Sequence, residues 1–225
     1  MKPLRLFCLT FIVVFACAAG PRSAQSQTAV PKADTQNWND IQLAIPLNKK
    51  VDFTIQGTVR IGDNVSRPVD ERWGVGWVFK LNKYLSLNPF YFHREARPPH
   101  GRQEYEDRLT VGATVRFPLG RFTLTQRNWF ERRWREPQVD AWRYRNAVLL
   151  EHPFKIGKTK FTFGVGDEVF YDWSLHVWVR NRFAVGASHT FNKHFTLYVY
   201  GMRQNDGRSR PGDINIIGTQ WRFRM

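Results

Sequence analysis

Apolar and polar residues alternate along most of the chain after residue 35. Between residues 109 and 117, apolar side chains occupy the odd positions, from Leu109 to Phe117, and small or polar side chains stand between them. The segments 73–79 and 161–169 alternate in the same way. Successive side chains of a β-strand point to opposite faces, so a period of two predicts strands with one apolar face. The pattern therefore predicts an all-β chain.

Short turn signals separate these segments at nearly regular intervals and indicate a hairpin repeat. They are Pro46–Lys50, Leu81–Lys83, Pro118–Gly120, Ile156–Lys158 and Asn192–His194. Longer polar stretches lie between them, at 62–70, 95–104, 135–140, 172–174 and 205–213. Short turns at one end and longer loops at the other are typical of a transmembrane β-barrel.

Eleven segments from Thr35 onwards have strand-like alternation. A barrel with an even number of strands needs ten or twelve. Either a piece at 28–33 adds a twelfth strand, or the segment 35–46 lies partly outside the closed sheet. We therefore expect an antiparallel transmembrane β-barrel of 10–12 strands, with short periplasmic turns and longer extracellular loops.

A soluble barrel would alternate with the same period, so alternation alone leaves the surroundings of the barrel open. Two features favour lipid. Aromatic residues stand at the expected strand ends, as in the girdles of membrane barrels: Trp38, Tyr84, Tyr105, Trp134, Trp142, Tyr171 and Trp173. The chain also closes on an alternating strand with Trp221, Phe223 and Met225. This end resembles the terminal signal by which bacterial outer-membrane barrels bind their assembly machinery, although that signal usually finishes on Phe.

The first residues have the layout of a secretory signal peptide. Lys2 and Arg5 precede an apolar stretch from Leu6 to Ala16, and small residues follow. Cleavage after residue 18 or after residue 26 fits this layout, and we assign 1–26 to the signal peptide and 27–225 to the barrel. A lipoprotein cut before Cys17 is the alternative. Cys8 and Cys17 are the only cysteines, so the exported chain has no disulfide, thiolate nucleophile or cysteine-based zinc site.

The formal net charge of +15 raises nucleic acid as a partner, but export argues against it. The phosphorylated surface lipids of an outer membrane are the polyanions that an exported bacterial protein meets. Four expected loops carry an arginine beside or near a proline: Arg67, Arg97, Arg135 and Arg210. These cations are candidates for contacts with lipid phosphates, and the prolines would also keep loop edges from pairing.

Many charged residues fall on the polar face of the expected strands. Arg127, Glu131 and Arg133 share one face of their strand, and Arg143, Arg145 and Glu151 share one face of the next. Further candidates for the same interior are Arg60, Arg72, Arg94, Arg108, Asp167, Glu168, Arg180 and Arg182. In a narrow barrel such charges would pair with one another. We interpret them as a structural ion-pair network in the lumen, with a narrow anion-selecting path as the alternative.

A series of short motifs resembles a widespread bacterial family of exported barrels that is known only as a domain of unknown function. The motifs are RNWFERR at 127–133, RYR at 143–145, DEVF at 167–170 and NRFAVG at 181–186. The resemblance spans nearly the whole chain after the signal peptide. It implies an outer-membrane β-barrel and no particular activity.

A rim enzyme is a further alternative. Asp172, Ser174 and His176 alternate near an expected loop, as the residues of a lipid hydrolase at a barrel rim would. Alternate side chains of a regular strand are about 7 Å apart, which is too far for a nucleophile and its base unless the strand bends. The histidines have no metal-ligand spacing, and we expect no cofactor and no metal. The sequence thus predicts a non-enzymatic outer-membrane barrel, with a rim hydrolase or a soluble periplasmic ligand-binding barrel as alternatives.

Overall fold

A computed structural model describes residues 32–99 and 101–225, and eleven β-strands form in these residues. The expected signal peptide at 1–26 and residues 28–31 of the possible twelfth strand lie outside the described residues. The strands are β1 (Ala33–Pro46), β2 (Val51–Gly62), β3 (Arg67–Lys80), β4 (Leu85–Ala96), β5 (Glu104–Leu119), β6 (Phe122–Glu136), β7 (Ala141–Ile156), β8 (Thr159–Asp172), β9 (Val177–Asn192), β10 (Phe195–Asp206) and β11 (Asp213–Arg224).

The strands form one closed barrel in which each strand pairs with its neighbours in sequence. All of these pairs are antiparallel except the closing pair, in which β1 and β11 run parallel from Ala33 opposite Asp213 to Ala44 opposite Arg224. Chain direction reverses at every hairpin, so the first and eleventh strands necessarily point the same way. The prediction of an all-β barrel of 10–12 strands is confirmed. The expectation of an even number is not met, because parallel closure accommodates an odd one.

The two ends of the barrel differ in their connections. At one end, the turn end, the strands are joined through 47–50, 81–84, 120–121, 157–158 and 193–194. At the other, the loop end, they are joined through 63–66, 97–103, 137–140, 173–176 and 207–212. Gly120 and Gly157 are the first residues of two of the two-residue turns. Their φ angles are 62° and 59°, a left-handed conformation that favours glycine. β1 begins at the loop end, and β11 finishes at the turn end.

The wall of the barrel is apolar outside and polar inside. Trp73 and Val111 are each 54% exposed, and Ile217 is 58% exposed. The most deeply buried side chains include two carboxylates, Glu106 and Glu131. A soluble barrel would place its apolar face inside, so this arrangement is the inverse of one. No helix of the described residues is both long and apolar enough to cross a membrane.

The strands are tilted relative to the barrel axis, which follows from the drift of their register. Thr54 lies near the turn end of β2, and the pairing leads from it through Gly76, Phe90, Thr110, Glu131 and Arg143 to Asp172. Asp172 is the last residue of β8 at the loop end. A line drawn across the strands therefore climbs towards the loop end as strand number rises.

Large aromatic rings on the inner face lie over glycines of the paired strand. A side chain at Gly74 or Gly76 would overlap the ring of Phe90, and one at Gly112 would overlap the indole of Trp129. These glycines permit the close approach of a large ring to the opposite backbone, which explains small residues on the inner face.

The expected aromatic girdle is correct for some residues and wrong for Trp38. Tyr105, Trp134 and Trp142 are exposed near the loop end. Trp38 is only 3% exposed and lies inside, where it packs with Tyr200 and two isoleucines. The physical reason is the alternation of β1, whose odd residues face outwards and whose even residues face the lumen.

Candidate functional site

A network of arginines and carboxylates lines the middle of the lumen. It lies on the inner faces of β2 to β10, where alternation places every second residue. Arg127 and Arg133 therefore point inwards, whereas Arg132 between them points outwards and pairs with Asp140 at 2.9 Å. The inner arginines are Arg60, Arg72, Arg94, Arg108, Arg127, Arg133, Arg143, Arg145, Arg180 and Arg182, and their carboxylate partners are Asp70, Glu106, Glu131, Glu168 and Asp206.

Glu131 is the most deeply buried member, with no solvent exposure. Three guanidinium groups from the two neighbouring strands reach its carboxylate. Arg143 approaches to 2.6 Å, Arg145 to 2.9 Å and Arg108 to 3.4 Å. Desolvation of an isolated carboxylate costs several kcal/mol, and the contacts with these three arginines compensate for that cost at Glu131.

Two further carboxylates extend the network around the wall through shared arginines. Arg108 bridges Glu131 to Glu106 on its own strand, at 2.6 Å from the latter. Arg145 bridges Glu131 to Glu168 on β8, at 2.7 Å from the latter. Because single guanidinium groups serve two carboxylates, β5 to β8 are linked by one continuous series of alternating charges.

The network continues on both sides of this series. Towards β3 and β4, Asp70 holds Arg72 and Arg94, with Arg60 at 4.0 Å. Towards β9 and β10, Asp206 holds Arg180 at 2.5 Å. Sequence reasoning missed Asp70, Glu106 and Asp206. The signal was present, since Glu106 and Asp70 stand two residues from Arg108 and Arg72 on the same faces.

Two buried aromatic rings lie between the charged clusters, and each contacts arginines from more than one strand. Phe170 is 1% exposed, and four arginines lie over its ring: Arg143, Arg145, Arg180 and Arg182, with centroid distances from 4.8 to 5.5 Å. On the other side of the lumen, Trp38 receives Arg60 at 3.5 Å and Arg182 at 5.0 Å. Cation–π attraction is strongest when the cation is desolvated, as here. Arg182 thus joins β9 to β1 and closes the network into a ring.

The network has more arginines than carboxylates, so the middle of the lumen carries a net positive charge. Its members are packed so closely that several are nearly without solvent contact. Chemically, this arrangement can seal the barrel against water and ions, and its surplus of guanidinium groups favours anions over cations.

Two residues expected in the interior lie elsewhere or at its margin. Glu151 faces inwards but lies nearer the turn end, where its only ionic partner among the described residues is Arg116 at 4.0 Å. Asp167 lies on the outer face of β8, opposite Phe183 of β9, so its assignment to the lumen is wrong. Asp167 and Glu168 are consecutive, and a strand can turn only one of them inwards.

The four loop cations all lie at the loop end, with different partners. Arg97 pairs with Glu71 and Glu95, each at 3.2 Å. Arg135 is within β6 and donates to the carbonyl of Val139. Arg67 donates to the carbonyl of Arg97 at 3.2 Å, and Arg210 to that of Ser209 at 2.9 Å. Arg67 and Arg210 therefore have no carboxylate partner in the described part of the chain.

The candidate hydrolase residues do not form a catalytic arrangement. Asp172 ends β8, and Ser174 and His176 lie in the turn at 173–176. The hydroxyl of Ser174 donates to Asp172 at 2.5 Å, and its backbone amide donates to the same oxygen at 2.9 Å. In residues 32–99 and 101–225, no hydrogen bond joins Ser174 to a histidine, so these contacts stabilise a turn. Nor do three histidine, cysteine, aspartate or glutamate side chains of these residues meet as metal ligands would.

Comparison with known proteins identifies the family. A family model described as "Protein of unknown function (DUF2490)" matches residues 35–215, and the chain belongs to this family. No curated protein matches the sequence.

Several solved structures are similar. The anion-selective porin from Comamonas acidovorans is 13% identical with a TM-score of 0.39, over 79% of this chain and 55% of that chain. This chain thus spans little more than half of that porin. LpxR from Salmonella typhimurium is 10% identical with a TM-score of 0.48, over 77% and 83% of the two chains. The KdgM porin in complex with disordered oligogalacturonate is 13% identical with a TM-score of 0.44, over 78% and 92%.

Proposed function

We propose that this member of the DUF2490 family is a non-enzymatic outer-membrane β-barrel whose lumen is sealed at its middle by the ring of arginines and carboxylates. The observation that carries the proposal is the complete burial of Glu131 among Arg108, Arg143 and Arg145. Water-filled pores keep their charged side chains solvated, whereas here Glu131 and its three arginines are desolvated and paired. We expect such a barrel to have a structural role in the membrane.

The proposed location is supported by the chemistry of the wall. Hydrocarbon offers no hydrogen-bond partners, so a spanning sheet has to be closed, as this one is. Its exposed face is lined with Trp, Phe, Val, Leu and Ile side chains, which lipid solvates well. The signal layout of residues 1–26 supplies the export route. Trp221, Phe223 and Met225, which lie at the turn end and are exposed, supply the proposed contact with assembly machinery.

A narrow anion path is the second candidate, and the surplus of arginines in the lumen favours it. It differs from the sealed barrel in one measurable property, since a path for anions requires that water enter between the guanidinium groups.

Conductance of the purified protein in planar lipid bilayers separates the two candidates. We expect the wild-type protein to conduct little or no current. Replacing two bridging arginines together, Arg108→Ser and Arg145→Ser, removes the links between carboxylates and is expected to open a measurable conductance. Arg132→Ser is the matched control, because Arg132 points out of the barrel. Anion-selective current through the wild-type protein would reject the sealed barrel in favour of the path.

The loop end is the proposed contact with anionic lipids. Among the described residues, Arg67 and Arg210 donate only to backbone carbonyls, so we expect their remaining donors to be available to phosphate oxygens. Native mass spectrometry of protein released from outer membranes tests this contact. Arg67→Glu with Arg210→Glu is expected to reduce phosphorylated-lipid adducts, whereas Lys158→Glu with Lys193→Glu at the turn end should leave them unchanged. Equal adducts in both variants would contradict the contact.

A further inference from the structure

Polar side chains interrupt the apolar outer wall across β6 to β9. They are Gln126, Asn128, Tyr144, Asn146, Asp167 and Asn181. The last five make hydrogen bonds with one another in two groups, and we call these five the amide patch. All five are partly exposed on the outside of the barrel. They belong neither to the lumen network nor to the loops, and nothing in the proposed sealing function requires them.

The patch lies within the apolar wall and not at its rim. On the turn side of it, the outward residues include Leu124 of β6, Val148 and Leu150 of β7, and Phe163 of β8. On its loop side, Phe130 of β6 is 51% exposed. If the barrel spans a membrane as proposed, these amides and a carboxylate face hydrocarbon, where unpaired polar groups are costly and usually have a function.

Hydrogen bonds within the patch satisfy only part of its polar atoms. The hydroxyl of Tyr144 and the amide nitrogen of Asn146 both donate to the carbonyl oxygen of Asn128, at 2.6 and 2.8 Å. The amide of Asn181 donates to both oxygens of Asp167, at 2.7 and 2.6 Å. In the described part of the chain, the amide nitrogen of Asn128 has no acceptor and Asp167 has no cation. The β6 side of the patch therefore offers the amide donor of Asn128, and the β8 side offers the carboxylate of Asp167.

The donors and the carboxylate lie at about the same height in the wall. Asn128 pairs with Asn146 of β7, and Asn146 pairs with Val169 of β8. Because the strands are tilted, Val169 lies nearer the loop end than Asn128. Asp167 is two residues nearer the turn end than Val169, which compensates for this difference. Asn128 on β6 and Asp167 on β8 are thus level on either side of β7.

An exposed aromatic cluster shares Tyr144 with the patch and extends from it towards the loop end. Phe130, Tyr144, Tyr171, Trp173 and Trp178 form a continuous set of ring contacts, with centroids 5.1 to 6.4 Å apart. Trp178 is 59% exposed. Large aromatic side chains beside a few placed hydrogen-bonding groups are the usual composition of a protein interface.

We propose that the amide patch and its aromatic cluster bind a second copy of this chain, in a dimer whose two-fold axis runs parallel to the barrel axis beside β7. This inference rests on the proposed membrane location. A two-fold axis at β7 brings β6 of one copy against β8 of the other. The free amide of Asn128 then meets Asp167 of the second copy, the reverse contact forms by symmetry, and Asn146 lies beside its own equivalent.

The second copy fits better than lipid, because an acyl chain satisfies neither the amide nor the carboxylate. It also fits through self-complementarity. The donor and the acceptor flank the axis at the same height, so one surface supplies both halves of the contact. The aromatic rings near the axis add apolar area that would be removed from lipid contact by close packing.

Cysteine cross-linking in native outer membranes tests the dimer. The only natural cysteines, Cys8 and Cys17, lie in the expected signal segment, so a single new cysteine reports one position. We expect Asn146→Cys to form a cross-linked dimer on mild oxidation. Ile55→Cys is the control, because Ile55 is exposed on the outer face of β2, far around the wall, and it is expected to remain monomeric.

A second variant tests the chemistry of the contact. Adding Asn128→Leu and Asp167→Leu to Asn146→Cys replaces the proposed donor and acceptor with groups that suit lipid. We expect loss of most of the cross-linked dimer while heat-modifiable gel mobility, the sign of a folded barrel, is retained. Retention of the dimer in this variant would overturn the proposed pairing.

The failure of this inference is distinguishable from failure of the proposed function. A folded Asn146→Cys protein in the outer-membrane fraction that gives no more dimer than Ile55→Cys would overturn the dimer alone. A cross-link to a different protein would likewise overturn the second copy as occupant. Protein found only in the soluble periplasmic fraction would instead reject the membrane location on which both proposals rest.

Discussion

Glu131 is the side chain on which the inner network depends most. Its alternation with Phe130 and Arg132 could be read from the sequence, so its inward direction was predictable. The identity of its partners was not, because Arg143 and Arg145 reach it through the register of the next hairpin. Side-chain reach and register decide these contacts, and neither follows from the spacing of residues within one strand.

Removing the charge of Glu131 should be strongly destabilising. In Glu131→Gln the shape is kept, but three arginines lose their common carboxylate in a desolvated site. Breaking a buried ion pair in this way leaves uncompensated charge, and we expect a loss of about 3 kcal/mol of unfolding free energy. Urea unfolding of the protein in detergent micelles measures it.

Glu136→Gln is the control for this change. Glu136 ends β6, is exposed and has no ionic partner among the described residues, so we expect wild-type stability. Equal stability of the Glu131 and Glu136 variants would mean that the buried network does not hold the barrel together.

The strands were the most predictable elements, because alternation and turn residues specify them locally. The errors arose at strands whose two faces are less distinct in chemistry. In β1, Trp38 was expected at the surface but faces inwards, because the outward positions of that strand include Asn37 and Asn39. In β8, Asp167 stands where an apolar residue would suit lipid. Each error follows from the assumption that every outward position is apolar.

Glycines of the inner face provide a test of how the strands accommodate large rings. Gly112 of β5 lies against Trp129 of β6, and an added methyl group would overlap the indole. We expect Gly112→Ala to reduce the yield of folded barrel several-fold, since overpacking typically costs about 1–3 kcal/mol. Heat-modifiable mobility after refolding into micelles measures the folded fraction.

Gly201→Ala serves as the matched control, because no atom of the described residues lies within 4 Å of a side chain added there. It lies on the outer face of β10, and we expect it to fold like the wild-type protein. A normal yield of folded Gly112→Ala would indicate that Trp129 does not occupy the space beside β5.

The barrel as a whole combines features that the sequence predicted with one that it did not. The closed sheet, its inverted polarity and the difference between its ends follow from alternation and turn spacing. The odd strand number depends on a single long-range contact, between β1 and β11, whose residues are far apart in sequence. Local patterns cannot determine whether terminal strands pair in parallel. That pairing places the start of β1 and the end of β11 at opposite ends of the barrel.

We propose that the apolar outer face of the whole barrel meets lipid while the charged groups are enclosed. Spin labels on single cysteines at Val59, Val111 and Ile217, which are exposed on β2, β5 and β11, test this arrangement in reconstituted membranes. We expect these labels to be relaxed strongly by oxygen, which concentrates in hydrocarbon, and weakly by a water-soluble nickel complex. Strong relaxation by the nickel complex at all three positions would contradict it, because the outer face would then lie in water.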